Sequence, residues 1–368
     1  LIIGIDASRA VSDAPTGTET YSREMIRALL RIDSENQYHL YTRGQTSNLQ
    51  LPNSNFQLRP IPFPRLWTHA RLSLEMLTHA PDLLWVPAHV LPLVHPRRSI
   101  VTIHDLGNLY FPEAYPGMQR VYHRWSQEWN AKAAAHIFAD SQATKNDLGK
   151  FFHINPENIS VVYLAYDAEL YRPVRDHSAI EKVKAKLRVD NDYVLAIGTI
   201  HPRKNYARLI EAFEKLANSN LQLVIVGKKG WLFEEIISLV EEKKLESQIS
   251  FLDYVPREDL PALISGAKLF IFPSLHEGFG LPILEAQACG VPVACSNTSS
   301  LPEAAGDGAI FFDPLDVDAM ANAIQRGLTD EALRAQLIAK GFENVKGFGW
   351  EKSARIALEV MNRIGRNG

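Results

Sequence analysis

Short, unbroken apolar runs recur along the chain, separated by longer stretches in which apolar residues return every three or four positions. In the first half the runs are IIGID (2–6), YHLYT (38–42), LLWVP (83–87), SIVTIHD (99–105), HIFADS (136–141) and ISVVYLA (159–165). In the second half they are YVLAIGT (193–199), LQLVIVG (221–227), ISFLDYV (249–255), KLFIFPS (268–274), VPVACS (291–296) and AIFFDP (309–314). A strand covered on both faces has no polar side to show, so it reads as a continuous apolar run. The helical period of NYARLIEAFEKLAN (205–218) marks the segments between as amphipathic helices. Strands alternating with helices imply right-handed crossovers and parallel sheets, so the pattern predicts two doubly wound α/β domains.

The strand signal stops in YDAELYRPVRDHSAIEK (166–182), where turn and charged residues take over. This places one domain at 1–168 and a second at 169–349. A last amphipathic helix, WEKSARIALEVMNRI (350–364), offers Trp350, Ala354, Ile356, Leu358, Val360, Met361 and Ile364 for packing. Two domains also suit 368 residues, more than one core comfortably holds.

Composition narrows the partners. With 46% hydrophobic and 22% charged residues the chain is an ordinary soluble globular protein. A formal net charge of -3 lacks the basic footprint of a nucleic-acid binder. The two cysteines, Cys289 and Cys295, fit neither a zinc knuckle nor a CxxC redox pair, and a reducing cytoplasm is the expected location. No run of about 18 apolar residues suggests a membrane span, and LIIGID at the start has no signal-peptide pattern before it. FPRLWTHARLSLEML (63–77) carries Arg65, Trp67, His69 and Arg71 among apolar residues. Such a segment suits peripheral contact with an anionic membrane, but an amphipathic helix packed on the sheet is the preferred reading.

In doubly wound sheets, ligands bind beyond the carboxyl ends of the strands, and polar outliers gather there. His104 and Asp105 follow IVTI, Ser141 follows IFAD, His201, Arg203 and Lys204 follow LAIGT, and Glu277 follows FIFPS. Asp105 is placed to orient His104, and Ser141 reads as the N-cap of the TKNDL helix. His201 and His276 lie close by in sequence without a clear role. The densest stretch is HEGFGLPILEAQACGVPVA (276–294), with Glu277 and Glu285 eight positions apart. Gly278 and Gly280 permit unusual backbone, Pro282 suits the first helical turn, and Gly290 suits a helix end. The N–H groups of Gly280, Leu281, Ile283 and Leu284 would then form an anion site at a helix N-terminus. Glu277 and Glu285 flank that site rather than share a proton, which fits a nucleoside diphosphate sugar.

Glu, seven residues and Glu within EGFGLPILEAQACGVPV resembles the signature of the family four (group 1) retaining glycosyltransferases of GT-B fold, of bacterial polysaccharide type. GTIHPRKNYARLIEAF (198–213) resembles that family's phosphate-binding segment, and TIHDL (102–106) and TGTETYSREMIRALL (16–30) its N-terminal-domain motifs. The resemblance implies two Rossmann-like domains facing across a cleft, with the helix of 350–368 crossing back to the N-terminal domain. It implies that Glu285 binds ribose hydroxyls and Glu277 the donor sugar, with the backbone at Phe279, Gly280 and Leu281 approaching sugar and phosphates. Arg203 and Lys204 resemble the cationic pair on the diphosphate, Gly17 the glycine meeting it from the other domain, and His104 a histidine beside the transferred sugar.

The implied reaction moves a hexose from a nucleotide sugar, UDP-glucose first and GDP-mannose next, to a sugar or polyprenyl-linked acceptor in polysaccharide biosynthesis. Leaving-group charge is neutralised by Arg203, Lys204 and the helix terminus, so no metal or other cofactor is expected. Asp316-Val317-Asp318 reads as helix-start chemistry. A UDP-sugar 2-epimerase of the same fold and a non-catalytic sugar-nucleotide-binding protein are the competing readings.

Overall fold

The computed structural model describes residues 1–11, 17–44, 55–63, 67–88, 90–114, 117–216 and 220–366. It divides into two compact units, Leu1–Ala165 with Phe348–Gly368, and Tyr166–Gly347. The sequence-based join falls a few residues later at each crossing. Asp167 accepts an ion pair from Arg257 at 2.8 Å and Tyr171 is buried, which ties 166–171 to the second unit. Phe348 meets Tyr163 edge-on at 5.6 Å, which ties it to the first.

The described residues of the first unit form a seven-stranded parallel sheet of β1 (Ile2–Asp6), β2 (Gln37–Thr42), β3 (Phe56–Pro60), β4 (Leu83–Val86), β5 (Ser99–Ile103), β6 (His136–Ala139) and β7 (Ile159–Val161). Its order is β3-β2-β1-β4-β5-β6-β7. Ile3, Ile5, Trp85, Val101 and Phe138 are buried, as continuous apolar runs require. The strand absent from the sequence reading is β3. FQLRP lies at the sheet edge with Leu58 exposed and a proline at its end, a place where proline is tolerated.

The closing helix, Trp350–Arg366, packs on the helix Gly17–Ile32 of the same unit. Ala354, Ala357, Val360 and Met361 form its buried stripe, Trp350 meets Tyr21 at 6.2 Å, and Ser353 Oγ donates to the Tyr163 carbonyl at 2.6 Å. Ile356, expected to pack, lies off that stripe and is exposed.

Trp67, Leu72 and Met76 join the core beside the sheet, the Trp67 ring N–H donates to the Ile61 carbonyl at 2.9 Å, and Arg71 pairs with Glu75. Within 67–77, Trp67, Leu72 and Met76 are thus packed while Leu74 and Leu77 are exposed, and Arg65 lies outside the described residues. Among the described residues, no helix is long and apolar enough to cross a membrane.

The second unit's described sheet comprises β8 (Asp192–Ile197), β9 (Leu221–Val226), β10 (Ile249–Leu252), β11 (Leu269–Phe272), β12 (Val293–Ser296) and β13 (Ala309–Phe312), in parallel order β10-β9-β8-β11-β12-β13. The order reverses between β8 and β11, and in the first unit between β1 and β4. Each reversal opens a crevice at the carboxyl ends of its strands, the place where doubly wound sheets take ligands.

Candidate active site

In the second unit the chain leaves β8 into a short turn, Pro202–Lys204, and leaves β11 into 273–280. Because β8 and β11 are neighbours, the two loops meet at the switch point. Lys204 Nζ donates to Glu277 Oε1 at 2.6 Å, and both side chains are mostly buried. Burial opposes the Glu277 carboxylate, but Lys204 and Arg203 outweigh it and hold the group below the usual range. Glu277 is thus a fixed anion, suited to accept hydrogen bonds from hydroxyls and unsuited to donate a proton.

Backbone bonds fix this geometry. The Leu275 N–H donates to the Arg203 carbonyl at 2.9 Å, joining the loops directly. Asn205, at φ 61°, donates through Nδ2 to the carbonyls of Pro273 (3.1 Å) and Pro314 (2.7 Å). The Glu277 N–H donates to Ser299 Oγ, and Ser300 Oγ donates to the carbonyls of Glu277 and Phe279, each at 2.9 Å.

The helix Leu281–Ala288 follows, entered through Gly280 at φ 108°. A Cβ at Gly280 would also come within 2.8 Å of Leu301, so both backbone and packing call for glycine there. Gly278 shows no positive φ, and of the two it is Gly280 that uses the freedom. The Ile283 N–H already donates to the Gly280 carbonyl at 3.0 Å, which removes it from the expected anion donors. Phe279 buries its ring, so that residue could meet a ligand chiefly through its backbone. Gly290, at φ 75°, follows the helix end as expected.

Glu285 has a different environment from Glu277. Burial pushes its carboxyl up to about 7, and nearby Asp167 adds to this, while the Tyr171 hydroxyl and Arg257 oppose it. The two glutamates therefore do not form an acid/base pair: one is clamped as an anion and the other is poised near neutrality. Asp316 caps the helix Val317–Thr329, accepting from the Ala319 N–H at 2.9 Å, and Asp318 pairs with Lys215. Both have helix-start roles.

Gly17 and His104 belong to the first unit. Gly17 opens the helix Gly17–Ile32, and a Cβ there would meet nothing within 4 Å, so packing makes no demand for glycine. His104, just past β5, bonds through Nδ1 to Asp140 Oδ2 at 2.6 Å and donates through Nε2 to the Pro87 carbonyl at 2.9 Å. Burial disfavours its charge, but Asp140 and the other partners prevail and raise its pKa. With both ring nitrogens engaged, His104 is fixed in orientation rather than free to shuttle a proton. Asp105, expected to orient it, instead caps the Gly107 N–H at 2.8 Å. The orienting acid is Asp140, which the sequence reading missed because it arrives from the end of β6. Ser141 caps the helix Gln142–Phe152 through the Thr144 N–H, as expected. His201 stacks on Trp231 at 4.9 Å, and His276 is buried.

Residues 178–344 match the family model described as Glycosyl transferases group 1, and residues 15–170 that described as Glycosyltransferase Family 4. Over 258 residues the chain is 36% identical to the O-antigen chain mannosyltransferase B of Escherichia coli, covering 69% of this chain and 68% of that protein. Over 279 residues it is 34% identical to the serotype-specific mannosyltransferase WbdA of Escherichia coli, covering 73% of this chain but 34% of that longer protein. The sucrose-phosphate synthase of Thermosynechococcus elongatus shares its fold, with a TM-score of 0.77 at 22% identity over 100% of this chain and 99% of that one. With two parallel sheets each reversing at a switch point, and with these matches, the chain belongs to the group 1 glycosyltransferases and has the GT-B fold.

Proposed function

We propose that this glycosyltransferase is a retaining, metal-independent mannosyltransferase that moves mannose from GDP-mannose to a saccharide hydroxyl during O-antigen-type polysaccharide assembly. The observation that carries the reading is the Lys204–Glu277 pair beside Arg203, held at the β8/β11 switch point ahead of the Gly280 helix terminus. The mannosyltransferase names of the relatives at 36% and 34% identity turn the donor from UDP-glucose toward GDP-mannose.

In this reading Glu277 accepts hydrogen bonds from the mannose hydroxyls and Glu285 from those of ribose. Breaking the anomeric bond leaves extra negative charge on the β-phosphate. Arg203, Lys204 and the backbone around Gly280 and Leu281 stabilise it without reorganising. No side chain need act as a nucleophile, since the departing phosphate can take the acceptor's proton on the same face, which preserves anomeric configuration.

The enzyme works at the cytoplasmic membrane face, and the surface supporting this is the helix Gly117–Ala133. It exposes Met118 (89%), Val121 (70%), Tyr122 and Trp125 beside exposed Arg120 and Arg124. The deciding experiment is a thermal-shift series with GDP-mannose, UDP-glucose and their nucleoside diphosphates, since a ligand of the native state raises its stability by mass action. GDP-mannose should stabilise most. Preferential stabilisation by UDP-glucose would overturn the donor, and no stabilisation by any nucleotide sugar would overturn the transferase reading.

A further inference from the structure

We infer that Trp231 is a positioning residue for the cationic turn: its indole, stacked on His201, holds Pro202–Lys204 in place from the β9 side. The inference rests on the donor-binding reading above, in which Arg203 and Lys204 meet the β-phosphate, and deepens it.

The loops that follow β8 and β9 are joined beyond the sheet. Ile200 and Lys229 add one more parallel bridge there. The Ile200 N–H donates to the Lys228 carbonyl and the Gly230 N–H to the Ile200 carbonyl, each at 2.9 Å. The approach is too close for side chains. A Cβ at Gly227 would lie 2.1 Å from the Gly198 carbonyl oxygen, and one at Gly230 2.6 Å from that of Ile200. The chain then reaches Trp231 and passes through Leu232 in the left-handed region, at φ 59°, before the helix Phe233–Glu242. That conformation is unfavourable for a leucine, so the surrounding contacts must hold it.

What this geometry fixes is a ring. The Trp231 and His201 ring centres lie 4.9 Å apart, with their planes 8° from parallel. His201 is 6% exposed and Trp231 38%, so the indole is the solvent-side member of the stack. His201 in turn leads into the cations. Its carbonyl accepts the Lys204 N–H at 3.0 Å, and Pro202 follows it directly. The Leu275 N–H holds the Arg203 carbonyl from the β11 side, and the indole supplies a hold from the β9 side. Adjacent cations repel, so a turn that carries two of them gains from bracing on both flanks.

The test is isothermal titration with GDP, GMP, UDP and UMP. The ratio of monophosphate to diphosphate Kd, taken for the base that binds, isolates the β-phosphate. In Trp231→Ala the diphosphate should bind about tenfold more weakly, the size of one lost charge-assisted bond, with monophosphate affinity within about twofold. Trp231→Phe, which can still stack on His201, should restore most of the ratio. In a chain already carrying Arg203→Ala and Lys204→Ala, adding Trp231→Ala should leave the ratio where it is. An unchanged ratio in Trp231→Ala, no recovery in Trp231→Phe, or a further fall in the cation-less background would overturn the inference. Equal weakening of mono- and diphosphate would overturn it too, by making the indole a contact for the base or a general support of the fold. No nucleotide binding by wild type, or a wild-type ratio near one, would instead sink the donor-binding reading itself.

Discussion

Glu285 offers a quantitative test, because its carboxyl titrates near neutrality and its proposed task requires the anion. Burial, the largest cause, raises it from 4.5 to about 7 in the free protein. One proton governing a group of that pKa leaves about a tenth ionised at pH 6 and about nine tenths at pH 8. If ribose hydroxyls bind the carboxylate, affinity for GDP-mannose should rise roughly tenfold over that interval, or about 1.4 kcal/mol. The nucleotide sugar is the right ligand because its diester diphosphate does not titrate in this range, unlike the terminal phosphate of GDP. The stability of the free protein should move the opposite way. Between about 4.5 and about 7 the folded state holds a proton that the unfolded state has lost, so stability falls as pH rises and then levels. The assay is isothermal titration across pH 6 to 8 in two buffers of different ionisation enthalpy, which also counts protons released on binding. Glu285→Gln should flatten the profile. An affinity that is flat or falls with pH, or an equal slope in Glu285→Gln, would refute the reasoning.

Lys204→Ala should reduce turnover at saturating donor by about a hundredfold or more, with a smaller effect on donor affinity, because leaving-group charge is largest in the transition state. Single-turnover kinetics separates this from a binding role, which would raise the donor KM and spare turnover. EDTA should leave transfer nearly unchanged, and activity lost to EDTA and restored by magnesium or manganese would return a metal to the mechanism. Met118→Asp with Val121→Asp should weaken co-sedimentation with phosphatidylglycerol vesicles by about tenfold, and equal sedimentation of variant and wild type would remove this helix as the docking face.

The strand-and-helix order was legible because buried parallel strands leave continuous apolar runs, and all of them except β3 announce themselves in that way. What escaped the sequence depends on which strands are neighbours. Lys204 and Glu277 lie 73 residues apart and pair because β8 adjoins β11. Asp140 reaches His104 because β6 adjoins β5, whereas sequence proximity pointed to Asp105, whose carboxylate prefers the local N–H of Gly107. Tyr171 and Ser300 act on Glu285 and on the Glu277 loop from segments with no motif of their own.

The Lys204–Glu277 pair also explains how a cationic site can be ready before its ligand arrives. The Lys204 stem runs beside Gly198, where a Cβ would come within 3.0 Å of Cε, and its ammonium lies 4.8 Å from the centre of the Phe272 ring. Glu277 then fixes the ammonium's direction. A lysine carries three N–H donors, so one can stay on Glu277 while others meet a diphosphate. Glu277 therefore has two effects that Glu277→Ala would mix: contact with the donor sugar and orientation of Lys204. Glu277→Gln separates them, because an amide oxygen still accepts from both Lys204 and a hydroxyl but no longer carries charge. If orientation dominates, Glu277→Gln should retain most donor affinity and lose turnover, by roughly tenfold for one weakened charge-assisted bond. If sugar contact dominates, affinity for GDP-mannose should fall while affinity for GDP holds. Both ligands carry the diphosphate that Lys204 meets, so an equal small loss of GDP and GDP-mannose binding fits orientation alone, whereas unchanged affinity together with unchanged turnover would contradict both roles.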